Sequence, residues 1–174
     1  MGNSPFWQVK QGVSVDLLAA ELGRRLLEKR AFLAVAESCT GGLIAKLVTD
    51  VAGSSSWFER GLVTYSNQSK QDLLGVTPEI RVQFGAVSRE TAEAMARGLL
   101  VMTPADWGLS VTGIAGPGGG SPEKPVGLVW MAWAQRGGSI ESQFFQFDGS
   151  RNQVRTAAAK TALELLLEGI KKSS

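Results

Sequence analysis

The chain has 174 residues, 44% hydrophobic and 20% charged, with 18 basic against 16 acidic side chains and a net charge of +2. That is the length and balance of one globular domain with its own core, and too little charge to argue for a nucleic-acid partner. There is no histidine and one cysteine, Cys39, which excludes Ser-His-Asp and Cys-His catalysis, histidine metal sites and an internal disulfide.

In chain order, residues 1–12 read as a loose amino-terminal segment and 13–170 as a single domain. Ser14 is an N-cap for a helix to Arg30, with Val15, Leu18, Leu22 and Leu26 along one face and a solvated charged face from Glu21 to Arg30. Ala31–Glu37 is an apolar run of strand length. Gly41–Val51 returns to helical spacing and closes at Gly53. Trp57–Tyr65 reads as a second strand, followed by a short helix Asn67–Leu74 that ends at Gly75. Thr77 and Pro78 are the cap and first residue of another, running to Gly85. Ser88–Leu100 is a helix with Ala92, Met95, Ala96 and Leu99 as its buried stripe. Asp106–Thr112 is a third strand leading into Gly113–Gly120, which holds five glycines. Val126–Gln135 and Ser139–Phe147 flank Arg136-Gly-Gly, a hairpin signal, and Ser150–Ile170 is a closing helix. Trp130 and Trp133 suit the core or a subunit interface, the core being the plainer reading.

This order predicts a three-layer α/β/α sandwich around a mostly parallel sheet with an antiparallel hairpin strand. Ligands of such sheets bind beyond the C-terminal ends of the parallel strands. Three polar or glycine-rich stretches follow predicted strands and should meet at one edge: Glu37–Gly42, Tyr65–Lys70 and Thr112–Pro117. In the first, Ser38, Cys39 and Thr40 precede a helix start whose free N–H groups suit a phosphate or an oxyanion, although on spacing alone a simple capped helix start is the plainer reading. The stretch is neither a Gly-x-Ser-x-Gly elbow nor a P-loop. Cys39 competes as a nucleophile on paper and reads otherwise as a small buried hydrophobe. In the second, Tyr65 and Lys70 lack the dinucleotide fingerprint that hydride transfer requires. Lys70 can serve as a base only if burial or a positive field lowers its pKa from ~10.4, and the alternative is an ordinary surface lysine. Ser121–Lys124 matches Ser-x-x-Lys by spacing alone, with Pro122 inside it and Gly120 and Pro125 flanking it. The Gly113–Gly120 loop reads as a phosphate wrap or a flexible crossover. Arg151 and Arg155 read as a phosphate clamp or as partners of nearby carboxylates.

Taken together, Ala36-Glu-Ser-Cys-Thr-Gly-Gly42, Val63-Thr-Tyr-Ser-Asn67 with Lys70, Gly85-Ala-Val-Ser88, Val111-Thr-Gly-Ile-Ala-Gly-Pro-Gly118 and Pro122-Glu-Lys-Pro-Val-Gly127 resemble the carboxy-terminal domain of the CinA competence/damage-inducible protein family. The likeness spans roughly Val13 to Leu167, and the amino-terminal nucleotide-handling domain of full-length CinA is not expected in this chain. Stand-alone members are nicotinamide-nucleotide amidases of the PncC type. The resemblance therefore implies deamidation of nicotinamide mononucleotide to nicotinate mononucleotide, with no metal or cofactor. It implies Ser38 as nucleophile, Lys70 as general base, and Tyr65 and Thr112 as supporting hydroxyls. Substrate contacts would come from Glu37, Thr40, Gly41, Gly42, Asn67, Gly113, Ala115, Gly116 and Arg151, with the amides of Thr40–Gly42 holding the oxyanion. Ser150 stands where the family pattern Phe-x-Gly-Asp-Arg has aspartate, and Phe58-Glu-Arg-Gly61 departs from the usual double glycine. The other reading is a non-catalytic CinA-like module binding a nucleotide or a protein. With no apolar run of membrane-spanning length and no signal peptide after Met1, the expectation is a cytoplasmic protein, a homodimer, with a small nucleotide as its partner and neither nucleic acid nor membrane.

Overall fold

The structure, a computed structural model, describes residues 14–173, so the loose segment expected over residues 1–12 lies outside the described residues. Six α-helices and five strands follow one another as α1 (Val15–Glu28), β1 (Leu33–Glu37), α2 (Leu43–Thr49), β2 (Phe58–Val63), α3 (Asn67–Leu74), α4 (Pro78–Phe84), α5 (Arg89–Met102), β3 (Trp107–Gly113), β4 (Leu128–Gln135), β5 (Ile140–Gln146) and α6 (Arg151–Lys172). Five helix starts are set by side-chain oxygens: Ser14, Ser66, Thr77, Ser88 and Ser150 each accept from an amide three residues on. Ser150 also forms a reciprocal capping box with Gln153, so the residue that replaces the family aspartate still starts α6.

The sheet order is β2-β1-β3-β4-β5. β1 pairs in parallel with both β2 and β3, while β4 runs antiparallel between β3 and β5. Helices cover both faces. Leu33, Val35, Leu109, Val111, Met131 and Trp133 pack with the buried sides of α1, α2 and α6. On the other face, Ala34 and Ala36 pack against Leu74, Met95 and Leu99. These alternating sides are what a strand buried on both faces requires. Trp133, 7% exposed, belongs to the first layer. Trp130, three residues earlier and so on the opposite side of β4, stacks obliquely on Phe144 with ring centroids 5.2 Å apart.

Several boundaries differ from the sequence expectation for identifiable reasons. Helix α2 starts at Leu43 rather than Gly41 because Gly41 and Gly42 have φ of +62° and +94°, outside helical backbone. Strand β4 starts at Leu128 because Gly127, at φ +92°, turns the chain there and donates its N–H to the Ile114 carbonyl. A 3₁₀ turn, Ser54–Ser56, which the sequence pattern does not predict, carries the chain from α2 to Trp57 at the foot of β2. No helix among the described residues is long and apolar enough to cross a membrane.

Candidate active site

β1 lies between its two parallel neighbours, and their hydrogen bonding continues one step past its end. Ser38 N–H donates to the Val111 carbonyl (3.0 Å) and Thr64 N–H to the Glu37 carbonyl (2.8 Å). Ser38 therefore leaves the sheet at the C-terminal edge of β1, β2 and β3 together. The left-handed Gly41 and Gly42 then bend the chain back sharply into α2.

Gly42 offers no side chain to cap α2, and Glu37 does so from below. Its Oε2 accepts from the amides of Gly42 (3.0 Å) and Ile44 (3.1 Å), and its Oε1 from Ala45 (2.8 Å). Two expectations are corrected by this. Glu37 is 1% exposed and turned inward, away from the cleft. Of the amides expected to hold an oxyanion, those of Gly41 and Gly42 are already taken, by the Ser38 carbonyl and the Glu37 carboxylate, which occupies the positive end of that helix, while Thr40 N–H donates to no protein acceptor among the described residues. Glu37→Leu would strand three amide donors in or near the core, at roughly 1–3 kcal/mol each. Urea denaturation of that variant is expected to show a loss of about 3 kcal/mol or more; a loss below about 1 kcal/mol would contradict the capping role.

Lys70 is one of two buried residues on α3, the other being Leu74 one turn later. The side chain is 3% exposed, and its Nζ donates to Ser38 Oγ at 3.1 Å and to the Thr64 carbonyl at 2.8 Å. Its hydrogen-bond partners include no carboxylate. Removal from water pushes the Lys70 pKa below the ordinary lysine value, with neighbouring Cys39 opposing weakly. Burial acts on Cys39 in the other direction: its thiol is pushed up to about 12, and the residue packs in the core. Of Ser38 and Cys39, Ser38 is the one hydrogen-bonded to the Lys70 amine.

A cleft of about 290 Å³ opens over this pair. Ser38, Tyr65, Asn67, Lys70, Thr112, Gly113, Ala115, Gly116 and Arg151 all line it, so the three stretches do meet at one edge. Arg151, in the first turn of α6, donates to the Gly116 carbonyl and to Tyr65 Oη, each at 2.8 Å, and ties the glycine-rich loop to the end of β2. Thr112 Oγ1 donates to the Ala86 carbonyl at 2.7 Å. Thr40, Gly41 and Gly42 lie with Glu37 on the underside of the turn and do not line the cleft. Arg155 does not join Arg151 in a clamp. It donates to the Thr40 carbonyl at 2.9 Å, and its Nη2 stands 3.1 Å from where a Cβ on Gly41 would be. Ala86, Val87 and Ile114 also line the cleft, although nothing in their side chains marks them as site residues. Their motifs, Gly85–Ser88 and Val111–Gly118, were the available signal. Ser121–Lys124 forms a tight turn outside the cleft, where Lys124 Nζ donates to the Phe84 carbonyl at 2.6 Å.

The family model described as the CinA C-terminal domain matches residues 15–170. A protein of Enterobacter agglomerans named nicotinamide-nucleotide amidohydrolase PncC is 51% identical over 150 residues, covering 86% of this chain and 92% of that protein. A CinA-like protein of Geobacter sulfurreducens is 53% identical over 154 residues, but the chain spans only 36% of its length. Among solved structures, the competence/damage inducible protein CihA of Agrobacterium tumefaciens superposes with a TM-score of 0.89 at 44% identity, covering 92% of this chain and 98% of that one.

Proposed function

Because the chain belongs to the CinA C-terminal domain family, we propose that it is an amidohydrolase that converts nicotinamide mononucleotide to nicotinate mononucleotide and ammonia, with residues 13–170 as its single domain. The observation that carries this reading is the 3.1 Å hydrogen bond between Ser38 Oγ and the buried, carboxylate-free Nζ of Lys70. A primary amide needs a nucleophile, a site for the oxyanion and a proton for departing ammonia. Neutral Lys70 takes the Ser38 proton as Oγ attacks the carboxamide carbon, and returns it to the nitrogen as the C–N bond breaks. Water then attacks the acyl-Ser38 ester, and the same amine relays its proton back to Oγ. In this reading the oxyanion is held by the N–H of Cys39, which donates to no protein acceptor among the described residues and follows the nucleophile directly. Arg151, Tyr65, Asn67 and the Gly113–Gly116 backbone bind the ribose phosphate.

The direct test is ammonia release from nicotinamide mononucleotide by the purified chain, matched mole for mole by nicotinate mononucleotide; no release overturns the proposal. The phosphate assignment has its own test. Arg151→Ala is expected to raise KM for the mononucleotide about 10–100-fold, the worth of a lost charge-assisted contact. It should leave the weaker hydrolysis of nicotinamide riboside, which lacks the phosphate, nearly unchanged. Equal effects on both substrates would remove Arg151 from the phosphate site.

A further inference from the structure

A second cavity reaches Lys70 from the side of α3 and α4. It is small, about 10 Å³, and among its walls are Gln71 on α3, Arg81 on α4 and Thr91 on α5. Three residues, Asn67, Lys70 and Ala86, line both this chamber and the main cleft, so the two spaces are neighbours with these residues between them. The volume is that of a single water, and the walls are mostly polar, as a hydrated site requires. Gln71 and Arg81, which line the chamber but not the main cleft, are exposed, and neither side chain forms a hydrogen bond to the protein among the described residues. The Lys70 amine has three substituent positions beyond its carbon, and Ser38 and Thr64 occupy two of them.

We propose that this chamber is the water inlet for the second half of the reaction. The inference rests on the amidase reading above. Once Ser38 is acylated, the nucleotide still fills the main cleft, and water arriving from that side would have to pass it. The α3–α4 chamber opens on the same lysine from elsewhere and is too narrow for anything larger than water or ammonia. A water entering there gives a proton to neutral Lys70 while its oxygen bonds to the acyl carbon. The ester C–Oγ bond breaks, and the lysine proton passes to Oγ, which restores Ser38–OH and the neutral amine. No other reactant is needed.

Plugging the chamber tests this without touching the groups that bind or attack the substrate. In Gln71→Phe and Arg81→Trp, rapid quench with nicotinamide mononucleotide is expected to show a burst of about one ammonia per chain, followed by a steady rate at least ~10-fold below native, the signature of slowed deacylation. Intact mass spectrometry of quenched samples should then show the acyl adduct on Ser38. In the unsubstituted protein ammonia and nicotinate mononucleotide should appear together. A burst with adduct in either variant supports the inlet. Native turnover in both, or slowing in both with neither burst nor adduct, overturns it. Failure of the unsubstituted protein to release any ammonia is a separate result, which removes the amidase reading itself.

Discussion

Ser38→Ala is expected to lower ammonia release from nicotinamide mononucleotide by about 10⁴-fold or more, because removing the nucleophile of an acyl-transfer enzyme leaves only binding and electrostatic contributions. The variant should fold. Ser38 is held in place by its backbone, through the N–H to the Val111 carbonyl and the carbonyl that receives Gly41 N–H, and neither bond involves the hydroxyl. Substrate binding by the variant, measured by calorimetry, should therefore stay within a few-fold of native while turnover disappears. The competing nucleophile is checked in the same experiment. Cys39 is 5% exposed with its thiol pushed up to about 12, so iodoacetamide at neutral pH should leave the native activity intact. Residual turnover in Ser38→Ala that iodoacetamide abolishes would transfer the nucleophilic role to Cys39.

The parts of this architecture that local chemistry controls were legible in the chain. Ser14, Ser66, Thr77, Ser88 and Ser150 mark helix starts because a short side-chain oxygen satisfies amides that nothing else reaches. The stripe of Ala92, Met95, Ala96 and Leu99 is fully buried for the reason its spacing suggests. Contacts between distant segments were harder to read. That Glu37 caps α2 follows only once Gly42, not Thr40, is seen to be the N-cap, left-handed and without a capping oxygen, so that the Thr40 hydroxyl suggested by the sequence is not the cap. Arg155 reaches the Thr40 carbonyl across 115 positions of sequence, and no pattern within α6 distinguishes it from Arg151, one turn away. The chamber behind Lys70 exists only because α3, α4 and the start of α5 converge there. The absence of histidine did narrow the chemistry: a serine hydrolase built from this composition has to find another base, and Lys70 is the amine in contact with the serine.

Lys70→Met removes that amine at little change in length, and two separate measurements should respond. Turnover should fall by about 10⁴-fold, the upper end of what a general base contributes. In the native protein, the base must be neutral to work, so kcat should climb tenfold per pH unit on its acid limb and level off above the Lys70 pKa. Because burial lowers that pKa, the plateau should begin below the pH ~10.4 of an ordinary lysine. A limb that keeps rising past that point would mean an unperturbed lysine, or a different base. Stability carries the same information through proton linkage. The unfolded chain holds the Lys70 proton up to about pH 10.4, whereas the folded chain gives it up earlier. Between those two values the unfolded state binds the extra proton, so native stability gains relative to Lys70→Met as pH rises through the window. Below the folded pKa the ammonium is charged in both states, and its burial opposes folding in full. Urea midpoints of native and variant chains, followed from neutral pH to about pH 10, should therefore shift in favour of the native chain. A difference that stays constant with pH would show that folding does not change the proton affinity of Lys70. It would then have no more claim to act as a base than a lysine on the surface.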